Sequence, residues 1–205
     1  MRVGPSYYDH HSSFRSNKTG VLVADLEKME VIQDVVLVRP QVFPDPRGRF
    51  METYRRSWFP LGREMIQGSR SDKQAGSLVG LHYHLHQADY WYVPSGRARV
   101  VLHDLRVGSQ TDGNTFSVEI GDENEVGLFI PPGVAHGFCA ISDMTLTYLV
   151  DGYYNPSDEL GVFYLDPAIR ADWGVADPVV SDRDKTNPKR DEIPDHLRPW
   201  LGLRR

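Results

Sequence analysis

Short apolar runs separated by turn residues dominate the middle of this chain. The runs of strand length cover residues 34–43, 89–96, 97–105, 115–121, 125–133, 136–141 and 144–154. Gly, Pro, Asn and Asp punctuate them at short intervals, as in VPSG, VGSQTDGN, GDEN and PPG. Strand-length runs with turn signals this close together are typical of an all-β sandwich or barrel.

Helical patterns are few, and the two ends of the chain differ from its middle. Residues 57–66, which Pro60 interrupts, and residues 166–174 predict short peripheral helices. Residues 1–20 are polar and form a predicted N-terminal extension, whereas residues 191–205 are charged, contain prolines and form a predicted C-terminal tail.

Composition favours a single cytoplasmic domain, which we place at residues 21–190. A length of 205 residues suits one domain, and a net charge of −5 without a long block of like charge does not favour nucleic acid as a partner. No apolar run approaches the ~20 residues of a membrane span, and residues 1–20 lack the apolar core of a secretory signal. The single Cys139, within HGFCAI, is interpreted as a buried thiol in a reducing compartment.

Histidines concentrate in two places along the chain. In GLHYHLHQAD, His82, His84 and His86 alternate, so a strand would send all three to one face. Further along, IPPGVAHGF contains a tight Pro-Pro-Gly turn that delivers His136 into the next strand. If both strands line a small barrel, the imidazoles converge on its interior, although we interpret His86 as a surface or loop residue.

The spacing of these residues resembles the two sequence motifs of the cupins. The first motif matches Gly76, His82, His84, Asp89 and Gly96, with Asp in place of the usual Glu. IPPGVAHGF matches the core of the second motif, although Glu125 occupies the place of its leading glycine. Two such motifs in order predict a double-stranded β-helix, the jelly-roll barrel.

Further segments, taken in chain order, narrow the resemblance. They are VFPDPRGRFMETY (42–54), GLHYH (80–84), HDLRVGSQTDGN (103–114), IPPGVAHGF (130–138), TYLVDGYYNPSDELGV (147–162) and DPAIRADWGVADPVVSDRDKTNP (166–188). All of them are similar to motifs of the dTDP-4-dehydrorhamnose 3,5-epimerases of deoxysugar biosynthesis. We therefore expect a divergent member of that family.

The resemblance implies an isomerase that inverts C3, C5 or both of a nucleotide-linked 4-keto-6-deoxy sugar, without a metal or organic cofactor. By motif position, His82 is the base, Asp184 orients it, and Tyr148 is the acid on the opposite face of the sugar. A neutral imidazole suits the removal of a proton next to a ketone near pH 7, and a carboxylate on its far nitrogen fixes the tautomer.

The resemblance also implies a set of residues that hold the ligand, and a homodimer. The positions that contact the nucleotide, diphosphate or sugar in the family are occupied here by Arg47, Phe50, Glu52, Gln67, His136 and Tyr154. Family members exchange their N-terminal strand, so we expect residues 30–38 to offer an edge to the partner's sheet.

Three positions depart from the family pattern. Val79 replaces an arginine, His84 replaces a glutamine, and Asp89 replaces the lysine that stabilises negative charge on the ketone oxygen. An anion in place of that cation should disfavour the transition state of the usual reaction. The loop between His84 and Asp89 is also shorter than is usual in the family.

These departures keep two other functions open. His82, His84, Asp89 and His136 form a three-histidine, one-carboxylate set, so a divalent metal could polarise the ketone instead. His82 cannot readily be both metal ligand and base, so a metal cupin competes with the epimerase mechanism. A catalytically inactive homologue that binds a sugar nucleotide is the third hypothesis.

Overall fold

The computed structural model describes residues 23–59 and 63–201, which form a fold built mainly from β-strands. The strands are β1 (Ala24–Lys28), β2 (Val36–Pro40), β3 (Phe43–Asp45), β4 (Gly48–Phe50), β5 (Gln67–Lys73), β6 (Ser77–Tyr83), β7 (Asp89–Ser95), β8 (Arg97–Asp104), β9 (Thr115–Gly121), β10 (Gly127–Ile130), β11 (Val134–Ala140), β12 (Met144–Val150), β13 (Leu160–Gly161) and β14 (Val179–Val180). A four-residue helix, α1 (Asp182–Lys185), follows β14. The predicted N-terminal extension lies outside the described residues.

Two sheets face each other and form the jelly-roll barrel. The first sheet has the order β1-β2-β10-β7-β12-β5, and the second has the order β13-β6-β11-β8-β9, with β14 beside β6. β3 and β4 form a separate hairpin. The prediction of an all-β jelly roll is confirmed.

Side-chain alternation along the strands places the main core between the two sheets. On β8, Val100 and Leu102 face inward and join Leu128 of the facing sheet, whereas Val101 faces outward. The outer face of the second sheet is also apolar because Ile169 and Trp173, from the chain after β13, pack onto it. β8 is therefore buried on both faces, and each such aliphatic side chain stabilises the fold by roughly 1.5–3 kcal/mol.

The residues that the sequence set apart as a C-terminal tail lie against the barrel as far as residue 201. Arg198 donates through Nε to the Leu105 carbonyl at 2.9 Å and through Nη2 to the Asp112 carboxylate at 2.7 Å. The Leu201 N–H donates to the Val107 carbonyl. Three short 3₁₀ turns follow β12, at Pro156–Asp158, Arg190–Glu192 and Asp195–Leu197.

Each of the seven predicted apolar runs coincides with one strand, but several other expectations were wrong. Residues 166–174 form only a short turn, since Arg170 adopts a left-handed conformation (φ 53°) that ends any helix. Of the predicted helix at 57–66, the structure shows only the 3₁₀ turn Arg56–Trp58. Residues 63–66 are not helical, and residues 60–62 are not among the described residues. Residues 30–38 offer no free edge, because β2 lies between β1 and β10.

Two further predictions concern Cys139 and membrane spans. Cys139 is fully buried on β11, and burial raises the pKa of its thiol. Within residues 23–59 and 63–201, none of the helices has the length and apolar character needed to cross a membrane.

A buried ion pair closes the loop between β8 and β9. Arg106, 1% exposed, donates through Nε and Nη2 to both oxygens of the fully buried Asp104, at 2.8 and 2.9 Å. The hydroxyls of Ser109 and Thr111 donate to the same carboxylate. The DLRVGSQT segment therefore stabilises the loop, because the Asp104 carboxylate accepts hydrogen bonds from four side-chain donor atoms.

We expect Arg106→Met to destabilise the protein by roughly 3–5 kcal/mol, because Asp104 would keep a buried charge without its partner. Urea unfolding measures this loss. The matched control is Arg39→Met, which removes the exposed pair with Glu27 and should cost less than about 1 kcal/mol. Equal losses of unfolding free energy in the two variants would show that the buried pair stabilises the protein no more than the exposed pair does.

Candidate active site

A cavity of about 260 Å³ opens between the two sheets at one end of the barrel. Its walls come from β5, β6, β7, β11 and β12, together with the loop after β6 and residues near β13 and α1. The predicted site residues that line it are His82, His84, Gln67, Asp89, His136, Tyr148 and Tyr154. The cavity therefore collects polar groups from both sheets of the barrel.

His82 and Asp184 form a hydrogen-bonded pair in the cavity wall. His82 lies on β6, and its Nε2 is 2.6 Å from Oδ1 of Asp184, which is 3% exposed. Ser181 caps α1 by accepting from the Asp184 N–H, and the Gly80 N–H donates to the other carboxylate oxygen. The carboxylate therefore has a fixed orientation behind the imidazole.

The Asp184 carboxylate is held in its ionised form. Burial alone would raise its pKa, but the hydrogen bond and charge of His82, with the Gly80 N–H, lower the pKa below its usual range. An ionised Asp184 accepts the Nε2–H of His82, which leaves the Nδ1 lone pair free. Glu159 lies 3.5 Å from Nδ1, where its carboxylate would stabilise a protonated imidazole.

Tyr148 comes from the opposing sheet. It lies on β12, paired with Trp91 on β7 and Ser69 on β5, and it lines the same cavity as His82. Tyr154 and Gln67 line the cavity nearby, where the Tyr154 N–H donates to the Gln67 side-chain oxygen at 3.2 Å. The structure therefore brings the predicted base and the predicted acid to one cavity, with the buried carboxylate of Asp184 hydrogen-bonded to the base.

Three predicted ligand residues lie away from this cavity. Arg47 is in the turn of the β3–β4 hairpin, 90% exposed and paired with Asp45, and Phe50 at the end of β4 is 64% exposed. Glu52 follows the hairpin and pairs with Arg55. Within one chain, the structure does not bring these residues to the cavity.

Three of the four predicted metal ligands lie close together in the structure, and the fourth does not join them. His84, Asp89 and His136 are buried, and their ligand atoms lie within 4.8 Å of one another, whereas His82 is not in this group. β6 ends at Tyr83, so His84 lies just beyond the strand, but it lines the same cavity as His82, as the alternation predicted. His86 is exposed, as expected.

The pKa of His136 is lowered to about 4. Burial is the main cause, and the neighbouring His84 lowers the pKa further, whereas the negative charge of Asp89 acts to raise it.

Sequence reasoning missed three charged residues that line the cavity: Lys73, Glu159 and Arg183. β5 reads QGSRSDK, in which residues 67, 69, 71 and 73 are partly buried and the residues between them are exposed. This two-residue period was a usable signal, although polar residues occur on both faces. Glu159 and Arg183 lie inside segments that resemble the family's motifs, beside the turn before β13 and directly before Asp184.

Two glycines set the distance between the strands that carry His82 and His136. The two histidines are paired across β6 and β11. A Cβ on Gly80 would lie 2.7 Å from the Gly137 Cα and 2.9 Å from the His136 carbonyl oxygen, and a Cβ on Gly137 would lie 2.6 Å from the Val79 carbonyl oxygen. The backbones can approach this closely only because both residues are glycine.

The facing antiparallel sheets and the histidine-lined opening define a jelly-roll barrel of the cupin type. Residues 29–192 match the family model described as dTDP-4-dehydrorhamnose 3,5-epimerase. The chain belongs to this family of sugar-nucleotide isomerases.

Individual relatives agree with this assignment. The chain is 38% identical over 160 residues to the dTDP-4-dehydrorhamnose 3,5-epimerase of Neisseria gonorrhoeae, covering 75% of this chain and 49% of that protein, so it spans about half the length of that relative. It is 36% identical to the enzyme of the same description from Shigella flexneri, covering 77% of this chain and 92% of that protein.

A solved structure of a related enzyme contains a ligand. It is the dTDP-6-deoxy-D-glucose-3,5-epimerase of Legionella pneumophila Philadelphia 1 in complex with dTDP-4-keto-L-rhamnose. It superposes with a TM-score of 0.82 at 29% identity, covering 88% of this chain and 100% of that one.

We expect Gly80→Ala to destabilise the protein by roughly 2–5 kcal/mol, since it combines backbone strain at φ 115° with overlap against β11. The control is Gly76→Ala, which also has a positive φ (81°) but has no atom within 4 Å of an added Cβ. The control should lose only the strain component, about 1–2 kcal/mol. Chemical denaturation of both variants measures the difference, and equal losses would mean that the close approach to β11 costs nothing.

Proposed function

We propose that this protein epimerises a nucleotide-linked 4-keto-6-deoxy sugar at C3, C5 or both. The observation that carries the proposal is the 2.6 Å hydrogen bond from His82 to the buried Asp184, in a cavity that Tyr148 lines from the facing sheet. An orienting carboxylate, a base and a phenol on the other wall are the groups that inversion next to a ketone requires.

The proton transfers can be written with these residues alone. Nδ1 of His82 takes the proton from C3, and the C–H electron pair forms the C3–C4 double bond of an enolate with negative charge on O4. The Tyr148 hydroxyl then donates its proton to the opposite face of C3, and the ketone is restored. His82 returns its proton to solvent and Tyr148 regains one, so the cycle closes without consuming a co-reactant. The two proton transfers themselves use neither a metal nor an organic cofactor.

Two cations line the cavity together with the carboxylates of Asp89 and Glu159, and these cations could contact an anionic sugar nucleotide. Lys73 lines the cavity from β5, and Arg183 lies beside Glu159 at 3.7 Å. These cations would offset the diphosphate charge at a site where Val79 replaces the family's arginine. The ligand of the Legionella neighbour supports a dTDP-linked keto sugar as the substrate class.

A homodimer would bring the remaining predicted ligand residues to the site. The β3–β4 hairpin presents Arg47 and Phe50 to solvent, and Phe43 lies beside Phe50 with ring centroids 6.5 Å apart. An exposed aromatic pair next to a solvent-exposed guanidinium, which within one chain bonds only the neighbouring Asp45, suits contact with a nucleotide diphosphate in a second copy's cavity. We propose that this N-terminal hairpin is exchanged between subunits, in a cytoplasmic enzyme.

We expect the protein to incorporate deuterium at C3 or C5 of a dTDP-4-keto-6-deoxy sugar in deuterated water, as measured by NMR and mass spectrometry. His82→Gln should abolish wash-in because the base is removed. Tyr148→Phe should keep wash-in, since His82 can still remove and return a proton on one face, but should lower formation of the inverted product by roughly 10²–10⁴-fold.

The controls for this experiment are His86→Gln and Tyr153→Phe, which change exposed residues of the same two types outside the cavity. Both should behave as wild type. Binding of the sugar nucleotide by the wild-type protein without any wash-in would contradict epimerisation and identify a binding protein that lacks catalysis.

Mixed dimers test the exchanged hairpin. One subunit carries His82→Gln and the other carries Arg47→Ala with Phe50→Ala, and two different affinity tags isolate the mixed species. If each hairpin completes the partner's cavity, one of the two sites is intact and the mixed dimer regains about half of the wild-type rate, while both parent dimers stay inactive. A monomer in sedimentation velocity, or an inactive mixed dimer, would contradict the exchange.

A further inference from the structure

A second group of chemically reactive side chains lies in the cavity beside His82. His84, Asp89 and His136 are 5%, 4% and 6% exposed, and all three line the cavity. They come from the turn after β6, the start of β7 and the middle of β11. The proton transfers described above do not use any of them.

Both histidines of this group hold the same tautomer. Nδ1 of His84 lies 2.7 Å from the Asp158 carbonyl oxygen, and Nδ1 of His136 lies 2.9 Å from the Val134 carbonyl oxygen. A carbonyl only accepts, so each Nδ1 carries the proton and each Nε2 keeps its lone pair. Metal-binding histidines are commonly oriented in this way, with the second ring N–H donated to a backbone carbonyl.

Both unprotonated Nε2 atoms lie near the carboxylate of Asp89. His84 Nε2 lies 3.8 Å from Oδ1, and His136 Nε2 lies 3.9 Å from Oδ2. These separations are too long for hydrogen bonds. They are close to the roughly 3–4 Å that separates ligand atoms sharing one ion at bond lengths near 2.1 Å.

Neighbouring residues hold these side chains in place. The Asp158 carboxylate accepts the backbone N–H groups of Leu85, His86 and Gln87, which fixes the turn that carries His84. Trp91 Nε1 donates to Oδ2 of Asp89 at 3.1 Å. Gln87 Nε2 lies 3.2 Å from His84 Nε2 and 3.0 Å from Asp89 Oδ1, between two of the ligand atoms. A bound ion would displace this amide, which lies on a partly exposed side chain.

We propose that His84, Asp89 and His136 bind a divalent transition-metal ion, with His82 outside the coordination sphere. Two imidazoles and one carboxylate on one side of an ion leave positions open toward the cavity, where an oxygen ligand can bind. Zn²⁺, Fe²⁺ and Co²⁺ accept this mixture of nitrogen and oxygen donors, whereas Mg²⁺ and Ca²⁺ favour oxygen alone.

This metal site would explain why Asp89 stands where the family has a lysine. The explanation rests on the proposed function. Negative charge develops on O4 when His82 removes the C3 proton, and a nearby cation stabilises that charge. An ion held by Asp89 would supply the positive charge as a Lewis acid toward the ketone oxygen. His82 stays free to act as the base because its Nε2 is bound to Asp184.

The test begins with metal content and does not need substrate. Protein stripped with a chelator is loaded with Zn²⁺ or Co²⁺, excess ion is removed, and the bound metal is measured by mass spectrometry, with visible absorption reporting the Co²⁺ environment. The wild-type protein and the His86→Ala control should retain one ion per chain. Asp89→Asn and His84→Ala should each lose it, while circular dichroism and thermal unfolding show that the variants remain folded.

His82→Gln separates this site from a four-ligand site. The variant should retain one ion per chain, and loss of the ion would overturn the proposal by making His82 a ligand. Absence of stoichiometric metal in the loaded wild type, or its retention in Asp89→Asn, would also overturn it. Either variant, Asp89→Asn or His84→Ala, suffices if the other does not fold.

The deuterium experiment on stripped and reloaded protein then distinguishes the two proposals. Wash-in that falls at least tenfold on stripping and returns with the ion supports both. Bound metal without wash-in leaves the site standing and removes the epimerase function. Full wash-in by a protein that binds no metal overturns the metal site and keeps the epimerase function.

Discussion

The contact between the backbones of β6 and β11 at Gly80 and Gly137 is the constraint on which the site depends. It places His82 and His136 side by side on paired strands. The Gly80 N–H also donates to Asp184, so the same short stretch of backbone anchors the carboxylate that orients His82. A side chain at either glycine would push apart the strands that carry both groups of histidines.

The cavity contains two separate electrostatic environments. His82 lies between the carboxylates of Asp184 and Glu159. His84 and His136 lie deeper, donate to backbone carbonyls and face a single carboxylate, Asp89. Under the two proposals, proton transfer and metal binding would use different side chains of the same cavity.

Sequence reasoning reached the barrel and the His82–Asp184 pair by different routes. The barrel followed from apolar runs and turn residues, because burial between two sheets imposes that pattern on β7 to β12. The pair joins positions 102 residues apart, a contact that periodicity cannot show, so it came from motif resemblance. The sequence did not predict β5, because the inward face of this strand lines a polar cavity and its residues therefore do not alternate between apolar and polar. Lys73 lies on β5 and was missed for the same reason. No pattern in the sequence of one chain shows that Arg47 lies far from the cavity of the same chain.

The segment that covers the second sheet also contributes to the site. Ile169 and Trp173 pack on the outside of that sheet, and the same stretch of chain continues into α1, which carries Asp184. The strands of both main sheets as far as β12 precede this segment, so a chain emerging from the ribosome can pair them before His82 acquires its carboxylate partner, Asp184. Asp184 therefore arrives on the same segment of chain as the apolar side chains that cover the outer face of the second sheet.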